Sequence, residues 1–297
     1  MNAGKFLKTH KQFTLFLLLA LMIVGVAVFA PFLAPHDPYE AVMTESLKAP
    51  GDVYVCGTDK LGRDVLSRVI YGTRSSLIMT LCLVIVIFVI GTALGILAGY
   101  FGGVVDEVIM RIGDMMISFP GLVLAIAIAG LLGPNMVNAV IAISAVSWTK
   151  YARLARSMVL KIKSNVYMEA AVVTGTRTRD MIFRYVIPNM IPTMIVTAAT
   201  DIGGMMLELA SLSFLGFGAQ APTPEWGLML NEGRTYLAKA PWLMIYPGIA
   251  IVIVVVVFNM LGDSIRDLLD PKQEETIKEE TKQDYSMKTI HENEPSI

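Results

Sequence analysis

Long runs of apolar residues constrain this chain's fold more than any motif does. Residues 13–33, 77–100, 115–133, 189–214 and 243–262 form five such runs, and the only charges inside them are Asp201 and Glu208. A hydrocarbon core about 30 Å thick is crossed by about 20 helical residues, or by tilted strands of about 9–11. Runs of this length therefore read as helices, which satisfy their own backbone hydrogen bonds in lipid. A further run at 136–148 is short alone, but it continues through Tyr151, Ala152, Arg153, Leu154, Ala155 and Arg156. That pattern reads as a helix leaving the membrane with its arginines reaching for the interface. Gly133-Pro134 separates it from the run before. The expected fold is an all-α integral membrane protein with six transmembrane helices.

Composition agrees. The chain is 55% hydrophobic and 16% charged, with mean hydropathy +0.61, whereas soluble domains are about 45–50% apolar and about 25% charged. A net charge of −1 offers no basic footprint for nucleic acid. The first run exceeds the apolar core of a cleaved signal peptide, about 7–15 residues, so it is expected to remain as an anchor.

Basic residues orient the spans. Lys5, Lys8 and Lys11 precede the first run. Residues 150–188 carry Lys150, Arg153, Arg156, Lys161, Lys163, Arg177, Arg179 and Arg184 against Glu169 and Asp180 alone. With six spans both segments share the cytoplasmic face with the C-terminus, and residues 34–76 and 216–242 form outer loops. The stretch after Pro271 is acidic and poor in apolar residues, which is expected to leave it as a solvated, largely disordered tail.

Catalytic chemistry has no constellation to support it. His10, His36 and His291 all lie outside the spans. Cys56, expected exposed in the first outer loop, and Cys82, expected within the membrane, make neither a disulfide framework nor a zinc site. Residues 57–64 have the glycine spacing of a phosphate loop, but Arg63 and Asp64 replace its Lys and Ser/Thr, and an acidic side chain there repels phosphate. No nucleotide hydrolysis and no bound metal are therefore expected of this chain.

The run at 189–214 is the polar one. Thr197, Asp201, Gly204, Glu208 and Ser211 recur at helical spacing and share one stripe. A carboxylate near a helix centre costs about 2.5–3.5 kcal/mol on insertion scales. Two readings stand for Asp201: lining a polar path, or pairing with a neighbouring helix. Glu208 is expected to be solvated nearer the outer end. Gly91, Gly95 and Gly99 form two GxxxG steps suited to close helix approach. Pro120 is expected to kink the third span, and Trp226, Trp242, Tyr236 and Tyr246 to form an aromatic belt.

The polar insert between spans is the least membrane-like part of the chain. Residues 166–174 and 177–186 read as two short helices broken at Gly175. Ala170 and Ala171 offer a small face, Glu169 a charge at its edge, and Pro188 suits the first turn of the next span. Pattern alone permits a docking helix or an amphipathic helix resting on lipid.

Glu169-Ala170-Ala171, then Gly175, then Ile187-Pro188, resembles the EAA loop of ABC-importer permeases, with Tyr185 and Ile187 where the general pattern has Ile and Leu. Further segments resemble the dipeptide, oligopeptide and nickel branch of that family: Gly57 to Arg68, Ser147-Trp148 with Tyr151-Ala152-Arg153, Phe183 to Asn189, Ser211 to Gly218, Pro222 to Gly227, and Asn259 to Asp267. The likeness runs from the first span to about Pro271 and suits the second permease of a pair. It implies a type I importer permease fold whose coupling helix, carried by Glu169, Ala170, Ala171, Gly175 and Pro188, seats on a cytoplasmic ATPase. It further implies a heterodimer with a second permease, two ABC ATPases that use ATP and Mg, and an extracellular substrate-binding protein. Thr197, Asp201, Gly204 and Glu208 would then border the translocation path. Asp59, Arg63, Asp64, Glu225 and Trp226 would face the binding protein. The organisation expected is 1–36 as N-terminus and first helix, 37–72 as extracellular loop, 73–264 as the transmembrane domain with its coupling loop at 150–188, and 265–297 as the tail. Peptides and nickel or metal chelates are both implied as cargo. A secondary transporter or channel would have no reason for the 169–175 insert, and an intramembrane enzyme would need a second group at the depth of Asp201.

Overall fold

A computed structural model describes residues 10–269. Lys5, Lys8, the tail after Pro271 and His291 lie outside the described residues. The described chain is helical: α1 (Lys11–Leu33), α2 (Val65–Phe101), α3 (Gly103–Ile117), α4 (Gly121–Leu132), α5 (Met136–Lys163), α6 (Val166–Val173), α7 (Thr178–Phe214), α8 (Trp226–Gly233) and α9 (Trp242–Leu269). Among the described residues the only β pairing is an isolated bridge between Thr58 and Asp64.

Four helices, α1, α2, α7 and α9, are long and apolar enough to cross a membrane, and the bent pair α3–α4 makes a fifth if it counts as one span. The helix α5 is 28 residues long but does not join them, because five cations from Lys150 to Lys163 shorten its apolar stretch. The third expected span is not one kinked helix. Its residues divide between α3 and α4, which meet at 94°, and Pro120 sits in the joint as the N-cap of α4. Without an N–H and with φ held near −65°, proline starts this helix rather than bending it.

Helix α2 begins twelve residues before the expected run, because Asp64 caps it by accepting from the Ser67 N–H at 2.8 Å. At 37 residues it is about 55 Å long and projects beyond a hydrocarbon core. Its glycines bear out the close approach. A Cβ at Gly91 would lie 2.5 Å from the Trp148 carbonyl, at Gly95 2.4 Å from the Ala152 carbonyl, and at Gly99 2.8 Å from Val159 Cβ. The α2 and α5 backbones thus touch where only hydrogen fits. One apolar core (Leu83, Ile87, Ile143, Met190, Met194) lies along α2, α5 and α7, and a second (Ile23, Leu77, Met206, Trp226, Val254) joins α1, α8 and α9 to α2 and α7.

The cysteine expectation is corrected for Cys56 alone. Cys56 is buried in the second core and Cys82 is exposed on the outer face of α2. Position in the chain set each residue's depth, but helix rotation and loop packing set its exposure.

Candidate functional site

Helix α6 hangs between α5 and α7. Its end is a complete glycine cap: the Gly175 N–H donates to Val172 O and the Thr176 N–H to Ala171 O, both at 3.0 Å, and Gly175 has φ +76°. This is the left-handed geometry that glycine adopts without a Cβ penalty. The helix has one inward and one outward side. Met168 and Ala171 are buried against Ile162 and Met181, while Glu169, Ala170, Val166, Val172 and Val173 are exposed. The expected Ala170–Ala171 outer face is therefore corrected. Successive residues on a helix lie about 100° apart, so one alanine faces out and the other packs in.

The second expected short helix of the insert does not end before the next span. Thr178–Asp180, a π turn at Met181–Val186 and Ile187–Phe214 run on as one helix. Pro188 thus follows a helical stretch instead of opening a new one. The π register loosens the turn that receives a residue with no N–H to give.

Cations on α5 organise the polar contacts. Lys150, Arg153 and Arg156 recur every three residues. Lys150 Nζ donates to Asp201 Oδ1 on α7 at 2.6 Å, Arg153 to Asp114 at 2.6 Å, and Arg156 Nη2 to Asp106 Oδ2 at 2.6 Å, both aspartates on α3. The other Asp201 oxygen is buried without a hydrogen-bond partner, as is the Tyr151 hydroxyl. Asp201 is thus an interhelical ion-pair partner, and its residue remains only partly exposed. The rest of the stripe stays open: Gly204 is exposed, and Thr197, Glu208 and Ser211 are half-buried. Lys150, Asp106 and Asp114 were not singled out in the sequence as partners. Their signal was present, since charges recurring every three residues at the membrane edge require counter-charges.

The outer residues expected to face a binding protein are buried. Asp59, Arg63, Asp64, Glu225 and Trp226 are at most 7% exposed. Arg63 Nε donates to Asp59 at 2.6 Å, and Arg63 and Arg68 both reach Glu232 on α8, at 3.1 and 3.4 Å. Asp64 caps α2, and Glu225 caps α8 by accepting from the Gly227 and Leu228 N–H groups at 2.9 and 2.8 Å. Burial pushes the Glu225 carboxyl above its ordinary range, and those two hydrogen bonds draw it back in part. Trp226 Nε1 donates to Val69 O at 3.0 Å, and the ring fills the space a side chain at Gly72 would need. Trp226 is therefore core and not part of an aromatic belt. These residues fasten the loop between α1 and α2 to α8, because buried charges persist only when paired.

An exposed, glycine-capped helix thus projects between two long helices of an all-helical bundle. A family described as binding-protein-dependent transport system inner membrane component matches residues 91–275. The chain belongs to this family. The N-terminal TM domain of oligopeptide transport permease C matches residues 3–50. The dipeptide transport system permease protein DppC of Alkalihalophilus pseudofirmus is 41% identical over 271 residues, covering 91% of this chain and 89% of that protein. The glutathione transport system permease protein GsiD of Pectobacterium atrosepticum is 42% identical, covering 86% and 85%. The nickel transport system permease protein NikC of Escherichia coli is 36% identical, covering 90% and 96%. Among solved structures, an inward-facing MetNI methionine ABC transporter superposes with TM-score 0.56 at 18% identity, covering 69% of this chain and 98% of that one.

This binding-protein-dependent permease is a transport subunit of an ABC importer and an inner-membrane component with several apolar helices. ATP hydrolysis belongs to separate ATPase subunits. Membership implies a partner permease, ATPases and a binding protein, and removes the alternatives of an uncoupled channel and an intramembrane enzyme.

Proposed function

We propose that this permease pairs with a second, non-identical permease and carries short peptides, and that two cytoplasmic ATPases, which bind ATP and Mg, grip α6. The observation that carries the reading is the outward side of α6, where Glu169 and Ala170 stand among the exposed valines Val166, Val172 and Val173. Apolar side chains this exposed, outside any span, fit a partner surface better than water. Six spans follow if α5 crosses with its cations at the inner end and α3–α4 counts as one. Both termini and α6 then lie in the cytoplasm, and the exposed apolar face of α1, Leu18 to Phe32, meets lipid.

Peptide cargo is supported by the relatives named for dipeptides and glutathione, at 41–42% identity against 36% for the nickel relative. Among the described residues no group of three His, Cys, Asp or Glu side chains is placed to hold a metal ion. The binding protein would meet the exposed part of the first outer loop, around Val53 and Val55, and not the buried motif residues. Glu169→Lys tests the docking role. ATP-driven uptake should be lost while the binding protein keeps its affinity for cargo, and persistent uptake with the ATPases still co-purifying would overturn it.

A further inference from the structure

The two carboxylates on the α7 stripe are not equivalent. Asp201 is neutralised by Lys150 at 2.6 Å. Glu208 lies seven residues further along the helix, about 10 Å toward its outer end. It is half-buried and has neither a hydrogen bond nor an ion pair. One turn before it, Gly204 leaves open space. Two carboxylates and one ammonium leave this face with one excess negative charge; Lys150 acts on both carboxylates but makes its ion pair with Asp201, so Glu208 is the one without a direct partner.

Beside Glu208 an apolar groove of about 450 Å³ opens between α7, α8 and α9, with Leu207, Phe214, Leu230, Met244 and Ile251 among its walls. Its volume lies within the range of small-molecule sites, about 300–1,000 Å³. Leu207 and Ser211, one and three residues from Glu208 along the helix, both line it, which sets Glu208 next to the groove wall and not in it. Ser211, the one polar side chain in its wall, already donates its hydroxyl to Leu207 O at 2.6 Å. The groove therefore offers a cargo apolar surface, with a single anionic group at the edge.

We propose that Glu208, and not Asp201, is the charge this path presents to cargo. Glu208 holds the terminal ammonium of a short peptide while the groove takes the apolar side chain of the peptide's first residue. The inference rests on the peptide-importer reading. Charge complementarity selects the occupant: an ammonium bonded to a carbon that bears an apolar side chain matches a lone carboxylate above an apolar recess, whereas an anionic cargo would be repelled.

The test uses the complete importer, with its partner permease, ATPases and binding protein, in proteoliposomes. Labelled phenylalanyl-alanine and glycyl-glycine are the probes. Glu208→Gln should lower phenylalanyl-alanine uptake roughly tenfold, the loss of one charge-assisted hydrogen bond. Glu208→Asp should restore most of the uptake. Gly248 also lines the groove, and a Cβ there meets nothing within 4 Å. Gly248→Leu should therefore fill the recess without disturbing the fold, lowering phenylalanyl-alanine uptake relative to glycyl-glycine. Wild-type uptake of both probes by Glu208→Gln overturns the proposal, as does an equal loss of both together with ATP hydrolysis. A wild-type importer that moves nickel ions but neither peptide overturns the peptide reading instead, before any variant is made.

Discussion

Replacing Gly175 with a graded series separates the backbone's demand from a partner's. The residue has φ +76° and a Cβ there would meet nothing within 4 Å in this chain. Alanine therefore adds no clash, only the left-handed backbone cost of roughly 1–2 kcal/mol. That shifts the capped end of α6 toward its frayed form by a factor of about 5–30. Asparagine tolerates this conformation better and should cost less. Proline fixes φ near −65° and removes the N–H that donates to Val172 O, so the cap cannot form. ATP-driven uptake by the reconstituted importer should fall in the order glycine, asparagine, alanine, with proline abolishing it. Amide exchange at Val173, Thr174 and Thr176 should quicken in the same order. If alanine proved as damaging as proline, a partner surface within reach of the missing Cβ would be the cause and the backbone argument would fail. Wild-type uptake by the proline variant would refute both.

Gly95→Ala should lower the thermal unfolding midpoint, because its Cβ would sit 2.4 Å from the Ala152 carbonyl and 2.6 Å from Ala155 Cβ. Overpacking of about 1–3 kcal/mol outweighs the helix-propensity gain of about 1 kcal/mol. Gly204→Ala, in open space, should keep or raise that midpoint, and an equal fall in both variants would count against the packing account. Lys150→Asp and Asp201→Lys should each lower stability and uptake through like-charge contact across α5 and α7, and the double exchange should recover part of both. Absence of any recovery would show that the 2.6 Å pair does not hold these helices together.

Much of the fold was legible because its signals are local. Apolar length set the α1, α2, α7 and α9 spans, GxxxG spacing set the α2–α5 approach, and the glycine after Val172-Val173-Thr174 marked the end of α6. The break at Pro120 was visible as a proline, but its 94° angle was not, nor were the contacts of α3 with Arg153 and Arg156. The outer motif was legible as a unit and misread in its direction. Charges such as Asp59 and Arg63 in an outer-loop motif gave no hint that they point inward, toward a carboxylate at position 232.

By itself the sequence determined which segments are long and apolar enough to cross a membrane as α1, α2, α7 and α9, and where a glycine-capped helix projects between long helices. These follow from hydropathy and backbone preference, which act within a few residues. Only the tertiary structure decided which charges are spent on one another. Lys150 meets Asp201 across 51 positions and Arg63 meets Glu232 across 169, and such pairings depend on how helices rotate and pack. That packing leaves Glu208 as the unpaired carboxylate of its stripe, beside a recess the sequence alone did not reveal.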